Sequence, residues 1–143
     1  MKILRMVNTI DMQDMRHLNL FGKITKIRTR FCFTYNDTII FCVPKRLISK
    51  AVGEGGRNVK EMNYILGRKI KIIPDPEGIN ESREFIENIV SPVMFKSMEI
   101  KDNEILITAG SQNKAALIGR NKRRLIELQK IVKDFFGKEL RIV

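Results

Sequence analysis

The sequence predicts an α+β protein made of two tandem αββααβ units, each a three-stranded sheet covered by three helices. The order helix, strand, strand, helix, helix, strand can be read twice along the 143 residues. A fixed offset of 66 residues then aligns the two readings, pairing Asn36 with Asp102, Ile39 with Ile105, Phe41 with Ile107, Val52 with Ile118, Gly53 with Gly119, Val59 with Leu125 and Met62 with Leu128. Agreement at that many positions marks an internal duplication. In the middle of each unit two helices flank a short turn, Gly53-Glu54-Gly55-Gly56 in the first and Gly119-Arg120-Asn121-Lys122 in the second.

The first helix opens at Thr9-Ile10-Asp11-Met12, a capping residue followed by an early acid, and ends at Gly22. Met12, Met15, Leu18 and Phe21 recur on one face, so both methionines are expected in the core. Residues 27–35 and 38–43 are β-branched and aromatic, and Asn36-Asp37 between them is turn chemistry, which together predict a hairpin. Phe31, Phe33, Ile39, Phe41 and Val43 are assigned to its core face. Pro44 suits the start of a short amphipathic helix ending at Val52. A second helix over 58–66 carries Val59, Met62, Ile65 and Leu66 at helical spacing and stops at Gly67. A strand over 68–73 follows, with Ile70 and Ile72 inward and Lys69 and Lys71 outward.

Pro74-Asp75-Pro76-Glu77-Gly78 suits neither a helix nor a central strand, so the units are placed at 1–74 and 75–143 with a short linker over 74–78. In the second unit the pattern predicts a helix over 80–90, strands over 96–100 and 105–108, helices over 111–118 and 123–136, and a last strand over 139–143. The register slips only near the end, where Gly67 corresponds to Gly137. Those four extra residues lengthen the last helix by about one turn.

A formal net charge of +11 points to a polyanionic partner. The charge is segregated. Residues 43–71 hold eight Lys or Arg against two Asp or Glu, and residues 111–143 hold nine against three, a net of +6 each. Residues 77–110 hold three against seven, a net of −4. Positive charge therefore gathers around both turns. No run of about eighteen apolar residues is present and the first residues lack a signal peptide's apolar stretch, so a cytoplasmic protein without membrane association is expected. Cys32 and Cys42 are the only cysteines, too few for a disulfide framework or a zinc site. They are read as reduced thiols, with a bridge as the alternative, because a three-residue hairpin loop would set them directly opposite each other.

Three glycines in four positions allow positive φ angles and let a phosphate approach main-chain N–H groups closely. A nucleotide-binding P-loop is excluded, because no Gly-Lys-Ser or Gly-Lys-Thr follows and a helix, not a strand, precedes the turn. His17, the single histidine, reads as an ordinary helix residue. With no clustered carboxylates, metal-ligand spacing or nucleophile beside a base, the chain is read as non-catalytic, with no metal and no cofactor.

An αββααβ unit with such a turn resembles the type II K-homology (KH) domain, whose signature of Ile or Val before Gly-x-x-Gly is met by Val52-Gly53-Glu54-Gly55-Gly56. The tandem pair is similar to that of the archaeal NusA-like transcription elongation and termination factors. The likeness extends to Leu18-Asn19-Leu20-Phe21, to Leu66-Gly67-Arg68-Lys69-Ile70 and to Ser91-Pro92-Val93 entering the second unit. It implies binding of single-stranded RNA, the nascent transcript, near RNA polymerase, by a monomer.

Carried over by position, Gly53, Glu54, Gly55 and Gly56 form the first clamp, with Arg57, Lys60, Lys45 and Lys50 as phosphate partners. Gly119, Arg120, Asn121 and Lys122 form the second, supported by Arg123 and Arg124. Bases would lie over Ile48, Val52 and Ile72. Lys122 departs from the family's closing glycine: either that turn has lost backbone clamping, or Lys122, Arg123 and Arg124 replace N–H contacts with charge. Glu54 either faces solvent or discriminates among nucleotides. The rival reading is a KH-type ribosome or RNA-processing assembly protein that binds structured RNA or a protein partner.

Overall fold

The structure is a computed structural model and describes residues 12–29 and 31–143. Expectations for the cap at Thr9 to Asp11 fall outside the described residues. Contacts divide the chain into two compact units on either side of the step from Asp75 to Pro76.

The first unit runs α1 (Met12–Thr25), β1 (Phe31–Tyr35), β2 (Thr38–Val43), α2 (Ile48–Val52), α3 (Arg57–Leu66) and β3 (Lys69–Pro74). Its sheet has the order β1-β2-β3, with β1 antiparallel and β3 parallel to the central β2. The second unit repeats this as α4 (Ser82–Val90), β4 (Ser97–Ile100), β5 (Glu104–Thr108), α5 (Ser111–Ile118), α6 (Arg123–Phe136) and β6 (Glu139–Ile142), with sheet order β4-β5-β6 and the same strand directions. Ser91-Pro92-Val93 lies inside this unit, between α4 and β4, instead of at its entrance. The architecture is the KH-like α+β fold. The last helix has 14 residues against 10 for α3, the one-turn extension that the shift from Gly67 to Gly137 implies.

Each core forms where the helices cover one face of the sheet. In the first unit Phe21 of α1 stacks on Phe41 of β2 at 4.5 Å between ring centroids, with Ile39, Val43, Ala51 and Met62 buried around them. In the second, Phe85 of α4 meets Phe135 and Phe136 of α6 at 4.7 and 5.7 Å. Aromatic pairs at such distances contribute about 0.5–1.5 kcal/mol beyond their buried area.

Several details correct the sequence reading. Helix α1 passes through Gly22 and ends at Thr25, whose Oγ1 donates to the Phe21 carbonyl at 2.8 Å. Its buried face carries His17, Phe21 and Thr25, whereas Met12 and Met15 are 74% and 55% exposed. Spacing alone admits either stripe, and the sheet takes the one centred on Phe21. Ile65 is likewise exposed, and α3 buries Met62 instead.

The hairpin loop has two residues, because Tyr35 pairs with Thr38, and both Asn36 and Asp37 adopt positive φ (50° and 60°). This conformation matches the right-handed strand twist, and Asn and Asp tolerate it best after glycine. Its register sets Cys32 opposite Phe41 and Cys42 opposite Phe31. Paired residues share a face, so the two cysteines lie on opposite faces and both are buried, unbridged thiols. The cross-strand bridge is therefore excluded. Phe31 and Phe33 pair with Cys42 and Ile40, so they lie on the face opposite Ile39, Phe41 and Val43. Lys71 pairs with Ile40 and is half-buried, not outward, and burial holds its ammonium below the usual lysine range.

Candidate nucleic-acid interface

Helix α2 is preceded by a single 3-10 turn, Lys45–Leu47, and closes at Gly53 through the N–H of Gly53 donating to the Ser49 carbonyl at 3.0 Å. The chain then makes a second 3-10 turn, Glu54–Gly56, into α3. Gly53 has φ 82° and ψ 160°, Gly55 φ 64° and ψ 18°, and Gly56 φ 77° and ψ 18°. The second unit traces the same path: Gly119 at φ 75° and ψ 174°, Asn121 at 55° and 28°, Lys122 at 61° and 20°. The backbone of the turn survives the replacement of two glycines.

Steric surroundings explain which glycines are retained. A Cβ on Gly53 would sit 2.9 Å from Asn58 Cγ and 3.1 Å from the Asn58 main-chain nitrogen, and one on Gly119 would sit 2.8 Å from Arg124 Cγ. Their φ/ψ values also lie in a region that only glycine occupies readily. Gly55 has open space around it, and at Gly56 the nearest atom is Lys60 Cε at 3.9 Å. A side chain can stand there for the cost of the left-handed conformation alone, about 1 kcal/mol, and less for Asn. Lys122→Gly is accordingly expected to stabilise the second unit by up to about 1 kcal/mol, after allowing for glycine's greater unfolded-state entropy. Thermal denaturation followed by circular dichroism checks it.

The first turn of each following helix is tied back to the helix before it. Asn58 Nδ2 donates to the carbonyls of Ala51 (3.1 Å) and Lys50 (3.3 Å). At the equivalent position Arg124 Nη1 donates to the Ala116 carbonyl at 2.9 Å. Arg124, grouped by sequence with the clamp cations, is thus also a helix-capping residue. Lys138 is engaged as well, its Nζ bonding the carbonyls of Lys101 and Asp102 at 3.0 and 2.6 Å.

Within the turn, the N–H of Gly56 donates to the Gly53 carbonyl at 2.9 Å and that of Arg57 to the Glu54 carbonyl. Lys122 and Arg123 make the same bonds to Gly119 (3.2 Å) and Arg120. Among the described residues these bonds do not engage the N–H groups of Glu54 and Gly55, or of Arg120 and Asn121. Two consecutive amides are left for an external acceptor in each turn. The N–H that opens α3, that of Arg57, is already bonded and is not one of them.

Lys45, Lys50, Glu54, Arg57 and Lys60 are all exposed, as are Arg120, Asn121, Lys122 and Arg123. Glu54 therefore faces solvent. Arg123 also stands 4.0 Å from Glu127 one turn along α6. The side chain of Lys60 passes within 3.9 Å of the point from which a Cβ at residue 56 would start. In the second unit Lys122 begins at that very point, while the residue equivalent to Lys60 is Ile126, which is exposed. A lysine side chain thus adjoins the last position of each turn, from different sequence positions. Ile48, Val52 and Ile72 are half-buried where α2 packs against β3.

Sequence reasoning passed over one grouping. His17, Cys32 and Asp14 bring their donor atoms within 4.8 Å of one another, with His17 Nδ1 4.0 Å from Cys32 Sγ. The signal was only the i, i+3 spacing of Asp14 and His17. No fourth donor joins them among the described residues, so the set falls short of a closed zinc site. Among the described residues, too, no helix is long and apolar enough to cross a membrane.

No protein-family model matches the chain. Three archaeal proteins named "Probable transcription termination protein NusA" are similar to it. That of Methanocaldococcus jannaschii is 26% identical over 125 residues, covering 85% of this chain and 67% of the relative. That of Methanococcus vannielii is 27% identical over 114 residues, covering 77% and 64%. That of Halococcus morrhuae is 24% identical over 135 residues, covering 88% and 95%. The match thus spans about two thirds of the length of the first two relatives. A solved structure described as "Crystal structure of APE1850" superposes with a TM-score of 0.65 at 22% identity, over 93% of this chain and 99% of that one, a likeness of fold. With its duplicated KH-like units, the chain is NusA-like in the sense that most of its length is similar to these archaeal proteins of that name.

Proposed function

We propose that this chain binds single-stranded RNA without catalysis and acts as a NusA-like transcription elongation and termination factor, with 1–74 and 75–143 as its two KH domains. The observation that carries the reading is the repeated turn. Both copies hold one backbone conformation, leave two consecutive amides unengaged and carry a lysine side chain beside the last turn position. Amides in such a concavity, flanked by cations, favour an anion. A polymer is the natural occupant, because the open space around Gly55 suits a chain that passes by, and KH loops clamp the backbone of about four nucleotides.

In this reading Glu54, Gly55, Arg120 and Asn121 contribute main-chain donors, and Gly53 and Gly119 shape the turns. Lys45, Lys50, Arg57, Lys60, Lys122 and Arg123 supply charge. The relatives' name extends the proposal to the nascent transcript and to RNA polymerase as its neighbour. Localisation in the cytoplasm accords with it.

The test is fluorescence anisotropy of a labelled random single-stranded RNA. Joint replacement of Gly55 and Gly56 by Asp is expected to abolish binding by setting carboxylates against the phosphate. Melting should fall by no more than several degrees, since both positions are sterically open. Absence of binding by the unsubstituted protein, or preference for a folded RNA, would overturn the proposal in favour of an assembly protein.

A further inference from the structure

Tyr64 is 88% exposed, the most exposed of the large hydrophobic side chains described. It sits on α3 at i+7 from Arg57 and i+4 from Lys60, so the three share one face of the helix. That face starts at the glycine turn. A rise of 1.5 Å per residue puts Tyr64 about 10 Å along the axis from Arg57. Isolated apolar side chains on a surface are ordinary, but this one stands in line with two exposed cations, and its neighbour Ile65 is exposed as well. The second unit differs, because the positions equivalent to Lys60 and Tyr64 are Ile126 and Lys130.

We propose that Tyr64 is a stacking platform for a base of single-stranded RNA whose backbone leaves the Gly53–Gly56 turn along the Arg57 and Lys60 face of α3. The inference rests on the clamp reading above. Cations that track the backbone, combined with an aromatic ring on which a base stacks, are how sequence-tolerant single-strand binding is built. A phenol ring lying almost wholly in water gains most from such a cover, and charge complementarity favours a polyanion over a protein partner.

The protein has two tyrosines and no tryptophan, and Tyr35 is buried. Tyrosine emission is therefore a direct reporter of Tyr64. RNA should quench it in the wild type and leave most of the residual signal unchanged in Tyr64→Phe. Tyr64→Ala should weaken RNA binding about 5- to 100-fold, the range for loss of one stacked base. Tyr64→Phe should retain affinity within about twofold, since the stacking ring persists. Inorganic polyphosphate, which has no bases, should bind wild type and Tyr64→Ala alike.

Wild-type RNA affinity in Tyr64→Ala, with binding still lost on replacing Gly55 and Gly56 by Asp, would overturn the platform and leave the clamp standing. Equal losses for RNA and polyphosphate would also overturn it, as a structural effect. Failure of the wild type to bind RNA would remove the clamp reading and this inference together.

Discussion

Gly53→Ala is expected to destabilise the protein by about 2–4 kcal/mol, lowering the melting temperature by about 10 °C or more. Two penalties combine. The φ of 82° with ψ of 160° is strained for any residue with a side chain. The new Cβ would also press on Asn58, including its main-chain nitrogen at 3.1 Å, which no rotamer change can relieve. Displacing Asn58 would in turn loosen its bonds to the Lys50 and Ala51 carbonyls. Gly55→Ala, two residues away, meets no atom within 4 Å and should cost only about 1 kcal/mol for its left-handed φ. Thermal melts of the two variants side by side check the contrast, and equal losses would show that the turn relaxes freely.

The second large effect concerns binding. Lys60→Glu and Lys122→Glu each reverse a charge beside the last position of their own turn, and each is expected to reduce single-stranded RNA affinity about 10- to 100-fold, the worth of a charge-assisted contact. Neither should alter melting by more than a degree or two, because both side chains are exposed. Titration in low salt checks this. Ile126→Glu, which occupies the position equivalent to Lys60 by sequence, should have a smaller effect than Lys122→Glu.

How much of this could be read from residues alone depends on which force sets each feature. Helices over 111–118 and 123–136 were legible to the residue, because glycines end both and the apolar spacing between is long and regular. The duplication was legible because chain register is itself a sequence property. The faces of the hairpin were not. Whether Asn36-Asp37 forms a two- or three-residue loop is decided by φ angles, and a slip of one residue exchanges every side chain between faces. That single choice explains both the misplaced Phe31 and Phe33 and the excluded Cys32 to Cys42 bridge. Met12 and Met15 were misassigned because α1 offers two apolar stripes, and only packing against Phe41 selects between them.

At the candidate site, the glycine motif named the first turn at once. Its lysine partner in the second was hidden, since Lys122 and Lys60 differ by four positions in register, and only the three-dimensional path of Lys60 brings its side chain to the turn position that corresponds to Lys122. Equally hidden was the tie between Arg124 and Ala116, because a cation in a basic run gives no sign that one of its donors is used internally.

In the proposed function both turns hold RNA phosphates, although only the first carries the closing glycine. Measuring RNA affinity across a salt series for the wild type, Gly56→Asp and Lys122→Glu tests it most directly. For single strands the log-log slope is about −0.7 per phosphate contacted. Each variant is expected to lower affinity and to make the slope shallower by at least about 0.7, one contact, relative to the wild type. A Lys122→Glu variant with the affinity and slope of the wild type, beside a Gly56→Asp variant that has lost binding, would contradict it and leave the second turn as scaffold.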